Sequence, residues 1–403
     1  MRFTCPIPAR PTRRRCARSC ASPSGRPSGS PPADPPGVVL DGPSQWRSFT
    51  GNDAGRRMDG RAGGLMRDQR VRSGEIRLAV RVRGEGHGQR PTVVLVHGYP
   101  DTSAMWDEVA ERLADRFRVV AYDVRGAGAS SSPSDPLDYR LDALMGDLEA
   151  VLDGVGADEP VHLVGHDWGS VQGWEAVIGD RLRGRIASFT SISGPDRRHM
   201  ARWARRAVRS GPRGVVEVLD QARRSVYMPV LMAPKVGELA ARVLAAGFPR
   251  LMARREGADP RSGHPAATLP ADARNGLGLY RANMTRRRRP ARPGGARKDD
   301  AVRTDGAGGA SGDGRTDRDG RTDVPVQLIV PIKDRYGSQS LLLSARGPVT
   351  RLYVRRASAG HWVARSHPDL IARWITEFVE HMDGGPETPD LARARAAGTP
   401  AEH

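Results

Sequence analysis

The sequence has few cysteines, and none lies in the part of the chain that has the pattern of a folded core. All three, Cys5, Cys16 and Cys20, fall within the first twenty of 403 residues. The remainder therefore has neither a disulfide framework nor a thiol metal site. This distribution favours a reducing compartment, and we expect a cytoplasmic protein.

Long apolar runs are also lacking. No segment approaches the roughly 20 consecutive apolar residues that a membrane-spanning helix requires. The basic residues Arg13 to Arg15 are followed by Ser-, Pro- and Gly-rich sequence, where a signal peptide would have an apolar run. We therefore expect no membrane partner.

Lysine is nearly absent, so the net charge of +18 comes almost wholly from arginine. Residues 1–65 carry eleven Arg against four Asp, and residues 286–323 carry eleven basic against seven acidic residues. About +11 of the +18 thus lies in stretches with few large apolar side chains. The arginine bias is typical of a GC-rich genome rather than of a DNA-binding surface, and we expect no nucleic-acid partner.

Composition shifts divide the chain into segments. Stretches rich in Pro, Gly, Ser, Arg or Asp with few large apolar residues cannot offset the entropy of ordering them. Met58, near the end of the first stretch, and Met66, directly after it, are candidates for the true translation start beside Met1. The predicted segments are a disordered basic tail (1–65), the first part of an α/β core (66–194), a helical lid (195–285), a flexible linker (286–323), the second part of the core (324–382) and a disordered tail (383–403).

The core segments have the pattern of a buried parallel sheet with crossover helices. Short apolar runs at 92–96, 161–165 and 186–192 predict strands, and amphipathic stretches such as 141–152 predict helices between them. The fold class is therefore α/β, with a mostly parallel central sheet flanked by helices. An insertion between two such strands lies over their carboxyl ends, where ligands of open sheets bind.

A nucleophile elbow is indicated by Gly165-His166-Asp167-Trp168-Gly169, directly after one of these strands. In such an elbow the two glycines permit a strained turn between a strand and a helix, and the central residue is the nucleophile. The central residue here is Asp167 instead of Ser. The predicted enzyme therefore attacks with a carboxylate.

The acid and base of a triad follow in the expected chain order. Asp334 comes after a predicted strand, and His361 comes after the last one, which gives the order nucleophile, acid, His. His367 is an alternative base, but it lies in the first turn of a predicted helix. Asp147 and Asp153 precede the elbow and are poor substitutes for Asp334 as the acid.

A Gly-rich stretch, Arg125 to Ser130, superficially resembles a phosphate-binding loop. It lacks the third Gly of a dinucleotide fingerprint, and no helix with a P-loop Lys follows it. We interpret it as a structural turn and predict no cofactor.

Over about residues 74–280 and 324–382 the chain resembles the epoxide hydrolase branch of the α/β-hydrolase superfamily. It is also similar to hydrolase modules that are fused in front of a short-chain dehydrogenase in some actinobacterial proteins. The supporting motifs are His97-Gly98-Tyr99-Pro100, Asp123-Val124-Arg125-Gly126-Ala127-Gly128-Ala129-Ser130, Gly165-His166-Asp167-Trp168-Gly169 and Gly360-His361-Trp362.

The resemblance implies a mechanism in two steps. Asp167 would attack an epoxide carbon to form an alkyl-enzyme ester, and His361, oriented by Asp334, would activate water against that ester. The partners would be a small apolar substrate and water, without metal or cofactor.

The resemblance also implies the surrounding groups. The loop containing His97 and Gly98 would place the backbone N–H of Tyr99, together with that of Trp168, at the oxyanion. Two lid tyrosines would donate a proton to the departing oxygen, and Tyr227 and Tyr280 match them.

Two other functions fit the same residues. A haloalkane dehalogenase would use the same nucleophile and base, although it has no need of the tyrosines. A catalytically silent α/β-hydrolase scaffold for protein interaction would use none of them. The sequence determines neither the substrate nor the oligomeric state.

Overall fold

A computed structural model describes residues 55–57, 66–84, 90–284, 320–346 and 348–396. The predicted linker 286–323, apart from its last four residues, lies outside the described residues. The same holds for most of the predicted tail 1–65 and for the last seven residues of the chain.

A nine-stranded sheet forms the centre of the protein, in the order β1-β2-β3-β5-β4-β6-β7-β8-β9. The ladders among β1, β2, β3 and β5 are antiparallel, and all ladders from β5 to β9 are parallel. The mostly parallel sheet predicted from the sequence is confirmed. The strands are β1 (Gly55–Arg57), β2 (Met66–Ser73), β3 (Ile76–Arg83), β4 (Thr92–Val96), β5 (Arg118–Tyr122), β6 (Val161–His166), β7 (Ile186–Ile192), β8 (Val326–Pro331) and β9 (Leu352–Ala357).

Helices flank the sheet and form the segment between β7 and β8. Three short 3-10 segments, Ser103–Trp106, Pro136–Tyr139 and Leu343–Ala345, and a π-helical segment, Met252–Glu256, accompany them. The α-helices are α1 (Asp107–Leu113), α2 (Leu141–Gly154), α3 (Trp168–Ile178), α4 (Arg197–Arg209), α5 (Pro212–Arg224), α6 (Tyr227–Met232), α7 (Val236–Leu251), α8 (Leu269–Asn275), α9 (Leu277–Asn283), α10 (Gln339–Leu342), α11 (Val363–Ser366), α12 (Pro368–Met382) and α13 (Pro389–Ala394).

The central strands are buried on both faces, as continuous apolar runs require. Leu95 packs with α1 and α12 on one face, whereas Val94 and Val96 pack with α2 and α3 on the other. Successive side chains of a strand point to opposite faces, so each of these residues contributes to one layer of the core. Helices on both faces in turn shield the parallel sheet from water.

Among the described residues between β7 and β8 there are six α-helices, α4 to α9, and the π-helical segment. We call this part, residues 196–284, the insertion. Pro229 is the third residue of α6, within the first turn, where its missing N–H costs no helical hydrogen bond. The proline therefore does not interrupt a helix.

Two of the described elements lie where we expected disorder. The strand β1 falls within the predicted tail 1–65 and pairs with β2. The helix α13 falls within the predicted tail 383–403. Thr388 caps its first turn by accepting a hydrogen bond from Leu391 N, and Leu391 is fully buried. Burial of the Leu391 side chain contributes about 2 kcal/mol to the free energy of folding. The polar composition of the segment does not reveal this contribution.

No helix in the described part of the chain has the length and apolar character needed to cross a membrane.

Candidate active site

The predicted elbow is formed at the junction of β6 and α3. Asp167 has φ 52° and ψ −118°, a left-handed conformation that few residues other than glycine adopt. A Cβ atom on Gly169 would lie 2.1 Å from the carbonyl oxygen of Val96, so only glycine fits there. The strain at Asp167 is thus held by close packing of α3 against the end of β4.

The loop after β4 contacts the Asp167 carboxylate directly. The backbone N–H of Tyr99 donates a 2.8 Å hydrogen bond to Asp167 Oδ1. His97 Nε2 accepts a hydrogen bond from Val124 N–H at 2.9 Å, so the proton of its ring is on Nδ1, which lies 2.9 Å from the Gly98 carbonyl oxygen. His97 therefore shapes the loop that presents the Tyr99 N–H.

His361 lies between the two predicted carboxylates. Its Nδ1 is 2.9 Å from Asp334 Oδ2, and its Nε2 is 3.6 Å from Asp167 Oδ2. Asp334 Oδ1 accepts from the backbone N–H groups of Tyr336 and Gly337, at 2.8 and 3.1 Å. The structure thus brings together Asp167, Asp334 and His361 in the arrangement of a triad.

Charge and burial act in opposite directions on this pair. Burial lowers the pKa of His361, but Asp334 and Asp167 outweigh it and raise that pKa to about 10. Burial raises the pKa of Asp334. The charge of His361 and the hydrogen bonds from His361 and the two backbone N–H groups lower it by more, so the pKa of Asp334 lies below its ordinary value. In the free enzyme at neutral pH, His361 is therefore protonated and Asp334 is charged.

The backbone of His361 is fixed from the other side of the loop. Its carbonyl oxygen accepts hydrogen bonds from His166 Nε2 at 3.0 Å and from Ser193 Oγ at 3.2 Å. Burial, followed by the charge of His361, lowers the pKa of His166 to about 4. His166 is consequently a neutral donor at physiological pH.

A pocket with an empty volume of about 540 Å³ opens above Asp167. The rings of Tyr227 and Tyr280 lie 6.1 Å apart, and Tyr280 stacks edgewise on Trp168 at 5.1 Å. Burial, reinforced by the Asp167 charge, raises the pKa of both tyrosines. Both hydroxyls therefore stay protonated and able to donate. The residues that define the pocket include Asp167, Trp168, Tyr227, Tyr280, Tyr336 and Met228.

Tyr336 is a pocket residue that the sequence analysis missed. Its ring centre is 4.7 Å from that of His361 and 5.4 Å from that of Tyr227. Burial, with the charge of Glu256, raises its pKa to about 12. The available signal was its position two residues after Asp334, on the loop that carries the acid.

A second buried network was also missed. Asp101 Oδ1 lies 2.7 Å from His264 Nε2, and Asp101 Oδ2 accepts from Trp362 Nε1 at 2.6 Å. Arg365 Nε donates to His264 Nδ1 at 3.1 Å, so the His264 proton is on Nε2 and points to Asp101. This network joins the Tyr99 loop, the insertion and the residue after His361.

The rejected alternatives lie elsewhere. His367 is exposed, and Asp147 forms a buried ion pair with Arg125. The carboxylate of Asp123 accepts from Ala129 N of the Gly-rich turn and from Ser103 N of the 3-10 segment after β4, so it ties the turn to that segment. Among the described residues, no group of three His, Cys, Asp or Glu side chains is placed to hold a metal ion.

Comparisons of sequence and of fold relate the chain to known proteins. A sequence model of the alpha/beta hydrolase fold family matches residues 91–274. The chain is 35% identical over 324 residues to the "Probable oxidoreductase EphD" of Mycobacterium tuberculosis, covering 79% of this chain and 50% of that protein. It thus spans about half the length of the curated relatives that it matches over most of its own length.

Two further relatives are epoxide hydrolases by name. "Epoxide hydrolase A" of M. tuberculosis is 38% identical over 119 residues, which is 29% of this chain and 36% of that protein. The crystal structure of an epoxide hydrolase from Bacillus megaterium with an inhibitor has a TM-score of 0.55 at 22% identity, covering 77% of this chain and 100% of the other. At that identity the structural likeness shows the fold alone.

The family match and the structural likeness show that the chain has the α/β-hydrolase fold. Over part of its length the chain is similar in sequence to proteins named as epoxide hydrolases.

Proposed function

We propose that the protein hydrolyses a small apolar epoxide to a diol through an ester on Asp167. The observation that carries this proposal is the position of the Asp167 carboxylate, which faces a pocket shared with Tyr227 and Tyr280. Because Asp167 Oδ1 accepts a hydrogen bond from the Tyr99 N–H, Oδ2 is the atom that attacks the epoxide carbon. The C–O bond of the ring breaks, and a tyrosine hydroxyl gives its proton to the leaving oxygen.

The second step returns the enzyme to its starting state. Water attacks Cγ of the ester, and His361 Nε2 takes its proton while Asp334 stabilises the imidazolium. The negative charge develops on Oδ1, where Tyr99 N–H already donates and where the N–H of Trp168 is proposed to join it. For this step the imidazolium proton of the free enzyme first passes to the tyrosinate left by ring opening, which makes Nε2 available as the base. When the intermediate collapses, the departing diol oxygen takes the proton that His361 removed from water. The proton of the resulting Asp167 carboxylic acid then returns to His361, which restores the carboxylate, the imidazolium and the tyrosine hydroxyl.

We infer that the insertion acts as a lid over this pocket. Tyr227 and Tyr280 come from α6 and α9, whereas Asp167 comes from the core. Gln221 of α5 donates to the Tyr336 carbonyl oxygen and accepts from Ser338 N, each at 2.8 Å. These bonds connect the insertion to the loop that carries Asp334.

Intact-mass measurement with styrene oxide tests the mechanism. His361→Gln should form the ester but not hydrolyse it, so its mass should rise by that of one styrene oxide molecule. Asp167→Asn should show no adduct and no diol, and wild type should release diol. An adduct that persists in Asp167→Asn, or wild type without diol release, would refute the proposal.

Two alternatives give different results in parallel assays. A haloalkane dehalogenase would release halide from a bromoalkane through the same Asp167, without dependence on the tyrosines. A catalytically silent scaffold would release neither diol nor halide. The cytoplasmic location and the absence of a nucleic-acid partner remain predictions from composition.

A further inference from the structure

The insertion carries far more positive charge than the sequence analysis attributed to structured parts of the chain. Between Arg197 and Glu256 there are fourteen Arg and Lys against four Asp and Glu, a net formal charge of +10. Nine of these arginines are exposed, and they are Arg205, Arg206, Arg209, Arg213, Arg223, Arg242, Arg250, Arg254 and Arg255. The charge is therefore displayed on the surface of the insertion.

Exposed apolar side chains are concentrated on the same helices. Of eleven exposed large apolar residues in the described part of the chain, nine lie between residues 208 and 243. Five of them have exposures of 62–66%, namely Val216, Leu219, Val226, Leu239 and Val243 at 65%, 63%, 65%, 62% and 66%. We call the nine the apolar face; they are Val208, Val215, Val216, Leu219, Val226, Val230, Val236, Leu239 and Val243.

Helix periodicity places these side chains opposite the buried ones. On α5, Val215 and Leu219 are one turn apart, whereas Gln221 lies on the other side and binds the loop after Asp334. On α7, Leu239 and Val243 are likewise one turn apart, opposite buried Ala241, Ala245 and Phe248. Each helix therefore packs against the rest of the protein with one face and exposes valine or leucine side chains to water on the other.

Exposed arginine and aliphatic residues on the same helices point to a particular kind of partner. Nucleic acid would pair with the arginines but would gain little by covering valine and leucine. An anionic bilayer surface satisfies both, because phosphate groups attract the arginines while aliphatic side chains enter the region between headgroups and acyl chains. A membrane-spanning helix is not needed for such contact.

We propose that the apolar face and its surrounding arginines bind the surface of an anionic lipid bilayer. Val226 and Val230 flank Tyr227, whose side chain lines the pocket, so the binding surface lies on the outer side of the pocket wall. Binding is independent of the proposed function. If that function also holds, the substrate class is an apolar epoxide dissolved in the membrane.

Co-sedimentation of the full chain with vesicles tests the proposal. Phosphatidylglycerol–phosphatidylcholine vesicles should retain the protein at low salt, and pure phosphatidylcholine vesicles should retain several-fold less. Val216→Gln/Leu219→Gln/Leu239→Gln should reduce retention several-fold, as should Arg205→Gln/Arg209→Gln/Arg213→Gln. Leu137→Gln is the matched control, since Leu137 is an exposed leucine at 46% outside the insertion and its replacement should leave retention unchanged.

The remaining outcomes separate this proposal from its competitors. Equal retention of wild type and both triple variants would place the contact elsewhere in the chain and overturn the proposal. Binding to duplex DNA that needs the arginines but tolerates the glutamines, without vesicle binding, would indicate nucleic acid. A dimer by light scattering that the glutamine variant dissociates would make the face an interface between two copies. The circular dichroism spectrum of the glutamine variant should match that of wild type, which would show that the variant folds. Its turnover of styrene oxide in buffer should also match wild type, and this assay tests the proposed function separately from membrane binding.

Discussion

His361 Nε2 lies 3.6 Å from Asp167 Oδ2, beyond a normal hydrogen-bond length but well within the reach of charge–charge attraction. Asp167 is therefore one of the groups that set the protonation state of His361. In the proposed mechanism Asp167 loses its charge when it becomes an ester, so ester formation would remove one cause of the raised pKa of His361. His361 would then be able to accept a proton from water in the second step.

Replacing Asp167 by Asn should lower the pKa of His361 from about 10, since the Asp167 charge is one of the causes that raise it. Titration of the His361 ring by NMR would measure the change, with His361→Gln used to assign the resonance. Asp158→Asn, an exposed carboxylate change, should leave the titration as in wild type. An unchanged His361 titration in Asp167→Asn would contradict this coupling.

The hydrolysis step should accordingly become faster as pH rises, because only neutral His361 accepts a proton. We expect the midpoint of this rise, measured as the single-turnover decay of the ester, to lie below the value of about 10 that applies to free His361. Ester formation needs no base and should not share that midpoint. A midpoint at or above the pKa of about 10 of His361 in the unmodified enzyme would show that ester formation does not lower the pKa of His361.

Removing both tyrosine hydroxyls should slow ring opening by about 10²- to 10⁴-fold, the usual range for loss of a general acid. Tyr227→Phe and Tyr280→Phe should each lose less than the double variant, because the other hydroxyl remains. Stopped-flow fluorescence can follow ester formation, since Trp168 lies in the pocket. Tyr122→Phe, a buried tyrosine of β5, is the control and should retain its rate. Ester formation at the wild-type rate in the double variant would remove the tyrosines from the mechanism.

Much of the parallel sheet was predictable because its strands are buried on both faces and appear as uninterrupted apolar runs. The strand Ile186–Ile192 matches its prediction residue for residue. In contrast, Val71 is the one buried residue among the eight of β2. Because most of the others are charged or polar, the sequence did not indicate a strand there. Its pairing with β3 depends on backbone hydrogen bonds, which composition does not record.

The proximity of Asp167, Asp334 and His361 was predictable for a different reason, which is that chain order and strand ends determine where loop residues meet. Predicting it needed no knowledge of the insertion. Asp101 and His264 were not predictable, because their contact joins residues 163 positions apart through an irregular loop of the insertion. No periodicity or motif indicates such a pairing.

Asp101→Asn should lower the free energy of unfolding by about 1–3 kcal/mol, the usual cost of leaving a buried polar group unsatisfied. The carboxylate accepts from both His264 and Trp362, and an amide nitrogen cannot accept from the second donor. Urea unfolding would measure the loss. Asp158→Asn, at an exposed position, should change stability by less than about 0.5 kcal/mol. Equal stability of Asp101→Asn and wild type would show that the network does not stabilise the fold.

Gly169→Ala and Gly247→Ala should have opposite effects on stability. At Gly169 a methyl group would meet the Val96 carbonyl 2.1 Å away, and neither backbone can yield without moving Asp167. We expect a loss of about 1–3 kcal/mol from overpacking, with a fall in diol formation. Gly247 lies inside α7 with no atom within 4 Å of the added methyl group, so alanine there should gain about 0.5–1 kcal/mol through helix propensity. Thermal unfolding of the two variants beside wild type checks both signs, and a stable, active Gly169→Ala would show that the elbow does not need the close packing described above.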